Sequence, residues 1–189
     1  MYQFKINQTN SLHTARYFIA HGINLFGFTL DALEPNHVSI DKLNDIQKWL
    51  YQPIVILEIA NHQSADEIAF LKEKTNAQLI QINYNHPEFD SISKKYNDIF
   101  IQIDTQYLSQ LENIQQNSNI IININNNDDI NLINTNMNKY NVYINAINFD
   151  VLKNTLQHIQ PYGICIPNLP NQDDDIPYEM YESYLDLDA

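Results

Sequence analysis

The chain has 189 residues, 44% of them hydrophobic, and a formal net charge of −13 at pH 7. This length can bury one sizeable core, so we expect a single domain over residues 1–189. The acidic charge disfavours contact with phosphate backbones and anionic lipids, so we expect neither a nucleic-acid nor a membrane partner. Because the single cysteine, Cys165, cannot form an internal disulfide and no signal peptide is evident, we expect a cytoplasmic protein.

Glycine is scarce, and the three glycines, Gly22, Gly27 and Gly163, are far apart. Backbone cradles for phosphate usually need clustered glycines, because the amides must approach the anion closely. A glycine-rich nucleotide loop is therefore excluded. The six histidines show no metal-ligand spacing with cysteine or carboxylate, so we expect neither a metal site nor a cofactor.

In chain order, hydrophobic periodicity predicts eight strands separated by helix-like segments. The first half predicts strands at 2–7, 25–30, 53–60 and 77–84, with helices at 12–20, 40–50, 65–74 and 87–96. The second half predicts strands at 98–104, within 118–129, at 142–146 and at 163–166, with helices at 106–116, 128–138, 149–159 and 176–185. Ser64 and Glu67 form a capping-box pattern, and Trp49 belongs to the apolar stripe of the second helix.

The segment 118–129 places its isoleucines and asparagines on opposite faces of a strand. Ile120, Ile122 and Ile124 point towards the helices, while Asn123 and Asn125 point into the barrel. A polar inward face suits a barrel, whereas the strands of a doubly wound open sheet, the alternative, would be apolar on both faces. The repeat therefore predicts an α/β fold, a compact (β/α)8 TIM barrel with short loops.

Further polar residues fall on the predicted inward face, namely Lys5, Glu58, Gln81, Asn83, Gln102, Asp104 and Asn145. They indicate either a polar pocket at the C-terminal mouth, where such barrels place their sites, or a hydrogen-bond network that fills the interior. Asp104 closes the fifth strand and is the best candidate for a ligand contact or an acid/base group, followed by Glu58. Because a lone buried charge is costly, we expect Lys5 within salt-bridge reach of one of these carboxylates. Cys165 is more typical of a small buried residue than of a nucleophile.

Three short motifs, HGINLFGF, PNHVS and HQSADEI, follow one another between residues 21 and 68. Weaker matches continue through QINY, NVYINAINFD and YGICIPN. In this order and spacing, the motifs resemble phosphoribosylanthranilate isomerase, the small (β/α)8 barrel of tryptophan biosynthesis. The resemblance implies an Amadori-type rearrangement of a phosphorylated aminosugar at the barrel mouth.

The chain departs from this family where the family's chemistry lies. The family's first strand ends in Lys-Ile-Cys-Gly, with the cysteine as general base, and the matching KINQ has Asn7 in its place. An amide has no proton-accepting equilibrium near neutral pH. The family's general acid, an aspartate at the end of strand six, corresponds to Asn123 or Asn125. The arginine after strand two corresponds to Asn36, and NAIN and PNLP replace the glycine-rich phosphate loops.

The resemblance and its departures together imply a barrel that has lost isomerase activity and serves as a binding or interaction protein. The alternative is an enzyme that uses Asp104 or Glu58 on a non-phosphorylated substrate. The positions expected to contact a small-molecule ligand at the mouth are Asn7, Asn36, Asn83, Tyr84, Asn125, Asn145 and Asn168. An open cavity with carboxylates would favour the enzyme, and a mouth plugged by Tyr84, Pro167 and Leu169 would favour the interaction protein. The sequence identifies no protein partner.

Overall fold

The computed structural model describes residues 2–115, 118–133, 138–168 and 178–188. Eight parallel strands pair in chain order and close into a barrel, with the last strand against the first. They are β1 (Gln3–Ile6), β2 (Leu25–Phe28), β3 (Ile54–Glu58), β4 (Leu79–Asn83), β5 (Ile99–Asp104), β6 (Asn119–Ile124), β7 (Asn141–Ala146) and β8 (Gly163–Ile166). The predicted (β/α)8 barrel is confirmed.

Helical segments cover the outside of the barrel. They are α1 (Leu12–Ala20), α2 (Ile40–Trp49), α3 (Ala65–Thr75), α4 (Phe89–Lys95), α5 (Asn127–Ile130), α6 (Phe149–His158) and α7 (Tyr178–Leu185), with 3-10 helices at Thr105–Asn113 and Asp186–Asp188. Among the helices described, none has the length and apolar character that crossing a membrane requires.

Two of the segments that connect one strand to the next differ from the predicted helices. Where an α-helix was predicted at 106–116, the structure has a 3-10 helix at Thr105–Asn113, in the shortest connection between two strands, from residue 105 to 118; residues 116 and 117 lie outside the described part of the chain. A 3-10 helix rises about 2.0 Å per residue against about 1.5 Å for an α-helix, so it spans the barrel height with fewer residues. The helix predicted at 128–138 is the single turn of α5, because asparagine and aspartate are weak helix formers; residues 134–137 lie outside the described part of the chain.

The predicted helix starts agree with the observed caps. The Ser11 side chain accepts from the backbone of α1, and Ser64 and Glu67 form both halves of the capping box of α3. Trp49, which the sequence pattern assigned to the apolar stripe of the second helix, lies outside the buried face of that helix and is 72% exposed at the last residue of α2. Leu43 and Ile46 supply the buried face of that helix instead.

Alternation along the strands sorts side chains into two cores. Ile120, Ile122 and Ile124 lie in the core between barrel and helices, whereas Ile121 lies in the barrel interior. This confirms the predicted faces of the isoleucines and of Asn123, whereas the prediction that Asn125 points into the barrel is wrong, because β6 ends at Ile124 and Asn125 is exposed. The interior core also contains Leu25, Ile56, Phe100, Tyr143 and Cys165. These apolar residues fill the lower and middle barrel, so polar interior side chains gather near the C-terminal strand ends.

Candidate functional site

A cavity of about 370 Å³ opens at the C-terminal mouth of the barrel. Its lining is mostly polar and includes Asn7, Glu58, Gln81, Gln102, Asn145 and Asn168. A volume of this size falls within the range of small-molecule sites. The mouth therefore has space for a ligand, and its chemistry is set by amide and carboxylate groups.

A buried ion pair lies below this cavity. The fully buried Lys5 places Nζ 2.6 Å from Glu58 Oε1 and donates a 2.7 Å hydrogen bond to Asn7 Oδ1. A Cβ atom at Gly27 would lie 2.7 Å from Lys5 Nζ and would overlap the Glu58 carboxylate. The predicted pairing of Lys5 with a strand-end carboxylate is confirmed, and Gly27 provides the space for it.

Five amide side chains continue from this pair around the barrel. We call Asn7, Asn145, Asn123, Gln102 and Gln81 the amide network. Asn7 donates to Asn145 at 3.1 Å, and Asn145 donates to Asn123 at 2.8 Å. From the other side, Gln81 donates to Gln102 at 2.8 Å, and Gln102 donates to Asn123 at 2.9 Å. The interior network and the polar pocket, which the sequence left as alternatives, therefore occur together.

Gln8 connects the ion pair to the rim of the mouth. Its φ of 46° is left-handed, a conformation that costs a non-glycine residue about 1–2 kcal/mol. Its N–H donates to Glu58 Oε2 at 3.1 Å, and its C=O accepts from Asn168 at 2.8 Å. Its side chain bonds to Glu34 and Asn36. Gln8 was not among the predicted site residues, although it follows Asn7 in KINQ, where the family motif has glycine.

Three of the predicted ligand positions, Asn7, Asn145 and Asn168, line the cavity, and so does Glu58, one of the two candidate acid/base residues. Asp104 lies outside the lining and accepts a 2.8 Å hydrogen bond from Asn123 Nδ2.

The other predicted positions lie apart from the cavity lining. Asn36 bonds to Gln8 and Asn10 at the rim, and the Asn83 side chain accepts from the Asn85 backbone at 2.8 Å. Asn125 follows the end of β6, where its side chain is exposed rather than enclosed by the barrel.

The three residues expected to plug the mouth do not act together in the described part of the chain. Tyr84 packs against Phe89 and Tyr107, with ring centroids 5.0 and 6.4 Å away, and it does not line the cavity. Pro167 is part of the lining, whereas Leu169 lies outside the described residues.

Cys165 and His86 are held in structural roles. Burial raises the pKa of the Cys165 thiol to about 12, which disfavours the nucleophilic thiolate. His86 Nδ1 accepts from the Glu88 backbone, so Nε2 carries the proton towards the Gln63 carbonyl 3.0 Å away. The described residues contain no group of three or more histidine, cysteine, aspartate or glutamate side chains that could hold a metal.

Neither the family models nor the curated protein sequences compared with this chain give a match. The structure is similar to phosphoribosylanthranilate isomerase from Thermotoga maritima, with a TM-score of 0.81 and 11% identity over 98% of this chain and 97% of that one. The chain has the fold of phosphoribosylanthranilate isomerase. The Pyrococcus furiosus isomerase gives a TM-score of 0.76 and 16% identity, over 98% of both chains.

A third isomerase structure is similar with a TM-score of 0.77 and 10% identity, over 98% of this chain and 97% of that one. That protein was solved in complex with reduced 1-(o-carboxyphenylamino)-1-deoxyribulose 5-phosphate. At such low identities the likeness to phosphoribosylanthranilate isomerase establishes the fold, and the resemblance seen in the sequence motifs is confirmed at that level.

Proposed function

We propose that this barrel binds a small, non-phosphorylated polar molecule at its mouth, in the cytoplasm, and does not catalyse the isomerase reaction. The observation that carries the proposal is the engagement of both candidate carboxylates. Glu58 accepts from Lys5 and from the Gln8 amide, while Asp104 accepts from Asn123 outside the cavity. A general base must be free to take a proton from its substrate, whereas Glu58 is held as the counter-ion of Lys5 and Asp104 does not line the cavity.

The charge of the mouth argues against a phosphorylated ligand. No lysine or arginine is among the described residues that line the cavity, and Lys5 beneath it is paired with Glu58. Glu34 and Glu58 both line the cavity, so a phosphate would meet negative charge. The loops also lack the clustered glycines that expose backbone amides to an anion.

The positions expected to carry proton transfer are amides. Asn7 replaces the cysteine of the family motif, and it is bonded to both Lys5 and Asn145. Asn123, a candidate for the place of the general acid, holds Asp104, Gln102 and Asn145 together. General acid and general base catalysis each contribute about 10²- to 10⁴-fold, so the loss of both leaves little beyond orientation.

The test is turnover of phosphoribosylanthranilate followed by fluorescence, with complementation of a tryptophan auxotroph as a second readout. We expect neither turnover nor complementation from the wild type or from Asn7→Cys, since the acid and the phosphate site would still be missing. Turnover near that of a true isomerase would overturn the proposal. If Asp104→Asn or Glu58→Gln abolished that turnover, the enzyme alternative would replace it.

A further inference from the structure

Two charged residues set the direction of every hydrogen bond in the amide network. An ammonium only donates, so Asn7 must present Oδ1 to Lys5 and use Nδ2 to donate to Asn145. Asn145 then accepts through Oδ1 and donates through Nδ2 to Asn123. This fixes the orientation of each amide on the Lys5 side without reference to how nitrogen and oxygen were assigned.

The Asp104 end of the network independently fixes the same hydrogen-bond directions at Asn123. An ionised carboxylate only accepts, so Asn123 must turn Nδ2 to Asp104 and Oδ1 to its other neighbours. Gln102 therefore donates to Asn123, and Gln81 donates to Gln102. Both directions agree at Asn123, whose Oδ1 accepts from Gln102 and Asn145. The remaining group at the end of this path is Gln81 Oε1.

Gln81 Oε1 is a buried acceptor without a donor. The residue is only 8% exposed, lines the mouth cavity, and has no hydrogen-bond partner for Oε1 within the described residues. Reversing the amide cannot satisfy it, because Nε2 is required by Gln102. A buried carbonyl that lacks a donor is unfavourable, and a molecule in the cavity that supplies an N–H or O–H removes the penalty.

A second acceptor lies beside Gln81. Glu58 on β3 is its register partner across β3 and β4, and Glu58 also lines the cavity. Lys5 neutralises the charge of Glu58. The Glu34 carboxylate at the rim has no cationic partner among the described residues. The mouth thus combines adjacent acceptors with unbalanced negative charge, and both features favour a cationic donor.

We propose that the ligand is a small hydroxylated amine whose ammonium group donates to Gln81 Oε1 and lies close to Glu58 and Glu34. This inference rests on the proposed binding function and names its ligand class. Each amide in the network also has a second N–H that can donate to a hydroxyl oxygen, and Gln102, Asn145 and Asn7 line the same cavity. An aminopolyol supplies both kinds of group.

The test compares D-glucamine with D-sorbitol, which differ by one ammonium in place of a hydroxyl, by calorimetric titration of the full chain. We expect D-glucamine to bind at least about tenfold more tightly than D-sorbitol. Gln81→Met and Gln81→Glu both remove the Nε2 donor to Gln102, and only Gln81→Glu keeps an acceptor at the site, so Gln81→Met should bind D-glucamine about tenfold more weakly than Gln81→Glu. Glu34→Gln should reduce the preference for the amine. Gln157→Met, an exposed position on α6, is the matched control and should change nothing.

The outcomes separate this inference from the proposed function. Equal binding of the two probes, unaffected by Glu34→Gln, would overturn the ammonium assignment while the binding function stood. Absence of D-glucamine binding to the wild type would also overturn it. Isomerase turnover, measured separately, would instead overturn the proposed function. Circular dichroism of Gln81→Met and Gln81→Glu establishes that both variants are folded, and loss of binding in Gln81→Met alone supports the inference.

Discussion

Lys5 on β1 and Glu58 on β3 form an ion pair across the intervening strand, over Gly27, with Nζ and Oε1 2.6 Å apart. Neither charge reaches bulk water freely, because Lys5 is fully buried and the Glu58 side chain is 10% exposed. The pair replaces the hydration that both ions lose on folding. The stability of the folded protein therefore depends on both charged side chains being present.

Glu58→Gln should lower the free energy of unfolding by about 3–5 kcal/mol, because it leaves the Lys5 ammonium buried without its counter-ion. Urea unfolding followed by circular dichroism measures the change. The double variant Lys5→Met/Glu58→Leu removes both charges and should recover most of the loss. Asp45→Asn, which breaks an exposed pair with Lys48, is the control and should have no measurable effect. A Glu58→Gln protein as stable as the wild type would contradict this account.

Gly27→Ala should destabilise the barrel by about 1–3 kcal/mol, because the new methyl group occupies the space of the ion pair. The same unfolding measurement applies. In a Glu58→Ala background, the overlapping carboxylate is absent, so the added cost of Gly27→Ala should shrink. Equal costs in the two backgrounds would place the effect in the backbone rather than in this contact.

The fold and the ion pair could be predicted because their signals are local or follow directly from alternation. Ile120 and Asn123 take opposite faces from their parity along β6, and Lys5 meets Glu58 because alternate strands contribute to the same interior layer. The rim could not be predicted in this way. Beyond the strand ends, alternation stops, and loop backbone angles decide where Gln8 and Asn125 lie.

The same limit explains why the sequence favoured Asp104, rather than residues that line the cavity, as the main site residue. Its position at the end of β5 follows from the sequence, but the preference of its carboxylate for Asn123 depends on neighbours from two strands. The orphan acceptor of Gln81 likewise emerges only when every donor of the network is assigned. Sequence patterns place such residues on a face without specifying which partner each polar atom selects.

The Cys165 thiol should be unreactive in the folded protein. Burial raises its pKa to about 12, so little thiolate is present at neutral pH and the reagent has no access. We expect labelling by a chromogenic disulfide at about pH 8 to be slow and to accelerate with denaturant in parallel with unfolding. The fully unfolded chain is the control and should react at once. Rapid labelling of the native protein would show that the lower barrel opens locally.

The capping box of α3 should make stability depend on pH. Hydrogen bonds from the Ser64 backbone and side chain lower the pKa of Glu67 from its usual 4.5. A lowered folded-state pKa contributes stability above the unfolded-state value, and this contribution is lost as pH falls through the folded-state value. Glu67→Gln should therefore lower the Tm at neutral pH, with the difference from wild type vanishing in acid. Glu73→Gln, exposed on the same helix, is the control. A difference that persists in acid would contradict the assignment.

The exposed position of Trp49 determines how folding of this protein can be observed. It is the single tryptophan of the chain, and its indole is 72% exposed at the end of α2. Because water surrounds the ring in the native state as in the unfolded chain, its emission maximum should shift little on denaturation. Near-ultraviolet signals from buried tyrosines such as Tyr143 and Tyr181 report the loss of packing instead. A tryptophan emission maximum that stays nearly constant across a denaturant series is therefore expected even when the barrel unfolds cooperatively.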